Sequence, residues 1–157
     1  MEEEQPSSFL FSKKIVIPIS QVFFLTPLSF AFVNIRPVHP GHILIAPRRI
    51  VERYCQLTAE EVVDIAMISY EITDIIEKTF GCSSTSLTIQ DGVESGQSVN
   101  HVHLHIIPVK KEYGEMQVHR EIEKPRPSRS AEEMAEEAKM LRPLFRSNPR
   151  NILKFSS

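Results

Sequence analysis

His101-Val102-His103-Leu104-His105-Ile106-Ile107 alternates imidazole with aliphatic side chains at a strict period of two. Successive side chains of a strand point to opposite faces, so this stretch predicts a strand over Val102 to Val109 with one face in the core and three histidines on the other. Neighbouring imidazoles on such a strand stand about 6.5–7 Å apart, close enough to serve different atoms of one ligand. Three readings compete: a solvated face rich in histidine, a three-histidine zinc site, and nucleophilic catalysis. Neither cysteine lies near the triad, and the nearest preceding acids are Asp91 and Glu94, which weighs against a metal centre. A neutral imidazole is abundant at physiological pH. His103, with a histidine on each side, can have its tautomer set by one hydrogen bond while its other nitrogen attacks. His101 or His105 would then be the proton partner. Gly96-Gln97-Ser98-Val99 directly precedes the triad, and its glycine lets backbone N–H groups approach a phosphate.

Working outward, Ile15 to Pro47 is rich in β-branched and aromatic residues and is broken by Pro18, Pro27, Pro37 and Pro40-Gly41, which predicts three or four short antiparallel strands. In them Phe32 shares a face with Asn34, and His42 with Leu44, so alternation predicts an apolar slot with polar groups at its rim. Leu57-Thr58-Ala59-Glu60-Glu61 reads as a helix start with a Thr58/Glu61 capping box. Ile65, Ile68, Ile72, Ile75 and Ile76 form its buried stripe, and Gly81 suits the left-handed position past its end. Ser86 to Ile89 reads as a further strand, joined to the histidine strand by the turn-rich Asp91 to Gly96. Residues 110–129 lack periodicity and read as a mobile loop, with His119 a solvated residue in it. Ser130 and Glu133 form a second capping box, opening a helix that stops near Arg142 before Pro143. The expectation is an α+β fold: an antiparallel sheet of about five strands with two helices, in one domain over 1–147, followed by a tail from 148 to 157.

Composition narrows the function classes. A hydrophobic share of 41% with 24% charged residues suits one packed domain. A net charge of −2 argues against generic binding to nucleic acid or an anionic membrane, so any phosphate site must be local. Only two cysteines, Cys55 and Cys82, are present, which points to a reducing compartment rather than a disulfide framework. The start, Met1-Glu2-Glu3-Glu4, lacks signal-peptide features, and no uncharged apolar run reaches the length of a membrane span. A cytoplasmic or nuclear protein is expected.

His-φ-His-φ-His-φ-φ resembles the signature of the histidine-triad superfamily. The wider run from Gln90-Asp91-Gly92 through Gly96-Gln97-Ser98-Val99 to Pro108 looks like its fragile-histidine-triad branch. Leu28 to Asn34 and Pro40 to Pro47 resemble the same branch, so similarity runs from about Val22 to Val109 and returns over Glu132 to Leu144. The resemblance implies a diadenosine-triphosphate hydrolase that releases AMP and ADP through a nucleotidyl-histidine intermediate on His103. It implies that Asn34 binds ribose, that Gln90, Gly96, Gln97, Ser98, Val99 and His105 contact phosphates, and that His42 supports the triad. It further implies a homodimer in which two sheets join, and Mg²⁺ or Mn²⁺ that accompanies the substrate without a tightly held metal. Two alternatives stay open: a nucleoside phosphoramidate hydrolase, against which Gln90 speaks, and a nucleotide-binding signalling module with slow turnover. Residues 110–129, with Tyr113, are shorter than the branch's usual insert and leave substrate selectivity open.

Overall fold

A computed structural model describes residues 4–114 and 117–154. The first three residues of the acidic N-terminus, two positions of the expected loop and the last three of the expected tail lie outside the described residues.

The core is a five-stranded, wholly antiparallel sheet of β3 (Val22–Leu25), β4 (Ser29–Val33), β5 (Ile43–Pro47), β6 (Ser84–Thr88) and β7 (Leu104–Val109), in the order β3-β4-β5-β7-β6. Ahead of it β1 (Ser8–Leu10) and β2 (Val16–Pro18) form a separate hairpin. The α+β expectation of about five strands and two principal helices, α1 (Ala59–Thr79) and α3 (Ala131–Leu141), is what the chain adopts. Both predicted capping boxes form: Thr58 Oγ1 accepts the Glu61 N–H at 3.1 Å, and Ser130 Oγ the Glu133 N–H at 3.1 Å. Gly81 follows α1 at φ 65°, a conformation that costs glycine no steric penalty. α3 ends at Leu141, and Arg142–Phe145 tightens into a 3₁₀ turn.

The two faces of the sheet are covered differently. On one, Phe23, Val33, Ile45, Leu104 and Ile106 meet Ile65, Ile68, Ile72 and Ile76 of α1 and Met134, Ala138 and Leu141 of α3. A register shift between Val22 and Phe24 inserts Phe23 as an extra residue, which brings Phe23 and Phe24 into the same cluster. On the other face Phe30, Phe32 and Leu44 pack against Phe9, Phe11 and Ile17 of the hairpin.

Two segments differ from the sequence reading. Residues 110–129, expected as loop, contain the short helix α2 (Val118–Glu123). After it Arg126 donates through Nε (3.1 Å) and Nη2 (3.0 Å) to the Arg36 carbonyl. The same guanidinium donates to the Glu121 and Ile122 carbonyls and so ties the end of α2 to Arg36. Residues 148–154, expected as part of a tail, are built into the structure. Ile152 N–H donates to Leu25 O at 2.8 Å, Asn151 Oδ1 accepts Leu25 N–H at 3.0 Å, and Leu153 is buried in the hairpin-side cluster. Unpaired β3 edge groups favour such a partner.

Candidate active site

β7 begins at Leu104, not Val102. His101 N–H turns back to Val99 O at 2.8 Å, and Val102 N–H pairs with Val51 O at 2.7 Å outside the ladder. The three imidazoles therefore part company. His103 and His105 stand side by side with ring centroids 4.9 Å apart, while His101 is driven inward. Its Nε2 lies 2.8 Å from Pro47 O, to which it donates, and its Nδ1 accepts the Val51 N–H at 3.0 Å. Both nitrogens of His101 are thus committed to backbone, and the expectation that all three rings share one open face is corrected.

Hydrogen-bond partners fix the other tautomers. His103 Nδ1 lies 2.7 Å from the His101 carbonyl, which can only accept, so Nδ1 carries the proton and the Nε2 lone pair is left free. Val38 N–H donates to His42 Nδ1 at 3.0 Å, so the His42 proton sits on Nε2. That nitrogen is 2.9 Å from His105 Nδ1, which must accept, so the His105 proton is on Nε2. Among the described residues His105 Nε2 is buried without a partner. Leaving such a donor unsatisfied costs about 1–3 kcal/mol, so the site is built around an acceptor supplied from outside. Asn34 Oδ1 accepts Arg36 N–H at 2.8 Å, which turns its Nδ2 to within 3.1 Å of His42 Nε2. With the proton on that nitrogen, two donors face each other, and the amide hydrogens remain available to an acceptor in the cleft.

Burial holds these rings neutral. It pushes His103 down to about 4 and His42 down to about 3, with nearby charges adding to the latter. His105 is lowered by burial first and by His103 and His42 after it, and His101 by burial against the raising effect of its backbone bonds.

His103 and His105 open onto a cleft of about 400 Å³, within the usual range for small-molecule sites. Phe11, Ile17, Phe32, Leu44 and Val99 give it an apolar wall, and Asn34, Ser98, His103 and His105 its polar end. Of the predicted substrate residues, Phe32, Leu44, Asn34, Ser98, Val99 and His105 line it. Gln90, Gly96 and Gln97 stand behind. Gln90 Nε2 donates to Ser95 O at 3.0 Å and lies 2.5 Å from where a Cβ on Gly96 would stand. With Gly96 at φ 89°, only glycine fits there. Gln97 turns inward, accepting Gly92 N–H at 2.7 Å and donating to Glu52 O at 3.0 Å, and its own N–H is spent on Gly92 O. It braces the loop, and Ser98 and Val99 are what the loop presents. His119, expected as a solvated residue, lies in α2 and does not line the cleft.

Sequence reasoning missed the residues supplied by the hairpin, by α2 and by the segment after α2. Phe11 lies edge-on to His103 at 5.0 Å, and Ile122 and Arg126 reach the cleft. The hairpin had a signal, Phe9-Leu10-Phe11 before Ser12-Lys13-Lys14 and Ile15-Val16-Ile17, two apolar runs about a polar turn. Ile122 and Arg126 had none. Among the described residues no three His, Cys, Asp or Glu side chains are grouped to hold a metal ion.

An apolar cleft of about 400 Å³ that ends on an oriented neutral imidazole and an open N–H donor has the form of a small-molecule site. The HIT domain matches residues 17–112, and the chain belongs to that histidine-triad family. It is 49% identical over 131 residues to bis(5'-adenosyl)-triphosphatase of Dictyostelium discoideum, covering 82% of this chain and 88% of that one. It is 38% identical to the bifunctional bis(5'-adenosyl)-triphosphatase/adenylylsulfatase of Arabidopsis thaliana, covering 88% and 85%. Among solved structures, Plasmodium falciparum diadenosine triphosphate hydrolase in complex with cyclomarin A superposes with a TM-score of 0.78 at 32% identity, covering 94% of this chain and 90% of that one.

Proposed function

We propose that the protein hydrolyses diadenosine triphosphate to AMP and ADP through a nucleotidyl-histidine intermediate. The observation that carries this reading is the setting of the His103 ring: Nδ1–H is fixed on the His101 carbonyl at 2.7 Å, and Nε2 is left free, with the His105 ring, whose Nε2–H has no partner among the described residues, 4.9 Å away. The apolar wall takes a base, and the Asn34 amide offers donors to ribose oxygens. His103 Nε2 attacks the α-phosphorus, a P–N bond forms, and the P–O bond to ADP breaks with its electron pair leaving on the ADP oxygen. His105 donates to a phosphate oxygen as charge builds on it. The phosphorylated ring becomes a cation, and the His101 carbonyl, already accepting its Nδ1–H, stabilises it. Water then attacks from the opposite side. An O–P bond forms, the P–N electrons return to Nε2, one water proton is released, and AMP departs. His101 thus serves as a positioning residue, and His42 fixes the His105 tautomer.

Mg²⁺ or Mn²⁺ accompanies the polyphosphate as part of the substrate, and a homodimer that joins two sheets belongs to the same proposal. The test reacts the enzyme with α-labelled dinucleotide, quenches in alkali because a P–N bond is acid-labile, and maps the label by mass spectrometry. Label on His103 is expected, with net retention at a chiral α-phosphorothioate. Inversion without a labelled histidine overturns the mechanism. The same nucleophile would act on adenylates with other leaving groups, a second reading favoured by the adenylylsulfatase activity in the Arabidopsis relative's name; a substrate panel separates the two by relative kcat/KM.

A further inference from the structure

The β1–β2 hairpin that sets Phe11 on His103 carries a feature the reaction above does not use. At its turn Ser12 Oγ accepts the backbone N–H of Lys14 at 3.1 Å and of Ile15 at 3.0 Å, and Phe11 N–H closes on Ile15 O at 2.8 Å. Lys13 and Lys14 are thereby fixed on the hairpin tip, on one wall of a second cleft of about 380 Å³. Glu52 and Asn100 stand in the same cleft. Two lysines against the one carboxylate of Glu52 leave it net positive, and among the described residues neither lysine belongs to an ion pair. Ile15, Ser98 and Val99 line both this cleft and the nucleoside cleft. The two meet at the loop residues beside His103.

We propose that this second cleft is the subsite for the leaving nucleotide, in which Lys13 and Lys14 take the phosphates beyond the scissile bond. The inference rests on the hydrolase reading. A substrate with its reacting nucleoside in the first cleft and its α-phosphate at His103 continues on the far side of Ser98 and Val99 as a polyphosphate of several negative charges. The net-positive groove that begins at those two residues offers it a path. Because both lysines are exposed, their effect is modest and screened by salt. A leaving group without phosphates gains nothing from them.

The experiment uses the full chain and compares kcat/KM for diadenosine triphosphate with that for adenosine 5'-phosphoramidate, whose leaving group is ammonia. Lys13→Ala/Lys14→Ala is expected to lower the ratio of the two about five- to tenfold, chiefly through KM of the dinucleotide, and to flatten that substrate's salt dependence. Lys13→Arg/Lys14→Arg should keep the wild-type ratio, as should Lys139→Ala on α3, which lines neither cleft. An unchanged ratio in the alanine variant overturns the subsite, as does an equal loss on both substrates, which marks a merely structural hairpin. A wild-type chain that leaves the dinucleotide intact overturns the hydrolase reading and the subsite with it. A wild-type chain that cleaves it, with the ratio unmoved by the variants, overturns the subsite alone.

Discussion

The stretch from His103 to Ile106, where the chain enters β7, has two unlike faces. Leu104 and Ile106 sit under α1 in a cluster of aliphatic and aromatic side chains. His103 and His105 sit one residue over, beneath a two-stranded hairpin that covers only part of its face and leaves a cleft. All four are buried: Leu104 and Ile106 are 8% and 0% exposed, and His103 and His105 are 6% and 5%. Burial has opposite consequences. On the helix face it is direct hydrophobic stabilisation, about 1.5–3 kcal/mol for each large side chain. At His103 and His105 it desolvates imidazoles, which lowers their proton affinity and, among the described residues, leaves the His105 Nε2–H without a partner. Along this stretch, burial stabilises at Leu104 and Ile106 and tunes reactivity at His103 and His105.

The largest effect that tests this division comes from one substitution on each face. His103→Asn removes the nucleophile but keeps the cleft, so kcat should fall by about 10⁴-fold or more while nucleotide affinity changes little. Activity within tenfold of wild type would refute the assignment. Ile68→Ala, in the fully buried stripe of α1, should cost about 2–5 kcal/mol in urea unfolding, with kcat of the folded enzyme nearly intact. A loss of kcat without a loss of stability there would show that the faces are not separable.

Acid offers a second, smaller test. An unfolded imidazole titrates near 6.5, whereas folded His103 does so near 4 and His42 near 3. Between those values the unfolded chain binds protons that the folded chain refuses. Stability is therefore full above pH 6.5 and declines on acidification by on the order of 1 kcal/mol per pH unit for each such histidine, levelling once the folded rings protonate. His101 and His105, lowered in the same direction, add to the slope. Over the same range kcat/KM of the remaining folded enzyme should stay flat and fall only towards pH 4, as His103 gains its proton. Unfolding curves and initial rates at matched pH check both. An activity limb at 6.5 would mean solvated rings. Ile68→Ala should lower the whole stability curve without changing its slope, since it touches no titrating group.

Much of this arrangement was legible in the residues. The period of two around the histidines gave the strand and the separation of Leu104 and Ile106 from His103 and His105. Capping boxes at Thr58 and Ser130 marked both main helices because they rest on local hydrogen bonds. What was not legible depends on distant partners. His101 leaves the shared face because Pro47 O and Val51 accept and donate to its ring, and no spacing rule encodes a partner some fifty residues away. Gln97 was expected at phosphate and instead braces Gly92 and Glu52. The 148–154 segment reads as polar and proline-broken, yet it is held by Leu25. Arg126 reaches the cleft through the carbonyl of Arg36, an acceptor that every residue carries and no sequence pattern singles out.

The smallest expected effect falls on Phe11, where hairpin and nucleophile meet. Its ring lies 5.0 Å from His103 at an interplanar angle of 75° and 5.0 Å from Phe32, so it both desolvates the imidazole and limits its rotation. Phe11→Leu keeps an apolar side chain there but removes the aromatic edge contacts, which are worth about 0.5–1.5 kcal/mol beyond the area they bury. Two shifts should accompany each other. kcat should fall about three- to tenfold as the ring loses one constraint on its orientation. The acid limb of kcat/KM should move up from about 4 towards the ordinary imidazole value, because burial is the main cause of the depression and the smaller side chain admits more water. A lower kcat with an unmoved limb would mean that Phe11 orients His103 without drying it, and the desolvation would then have to come from Phe32, Leu44 and the loop at Val99. A raised limb with an undiminished kcat would mean the reverse: a ring held in place by the His101 carbonyl alone, with the hairpin acting only as a cover that keeps the nucleophile neutral.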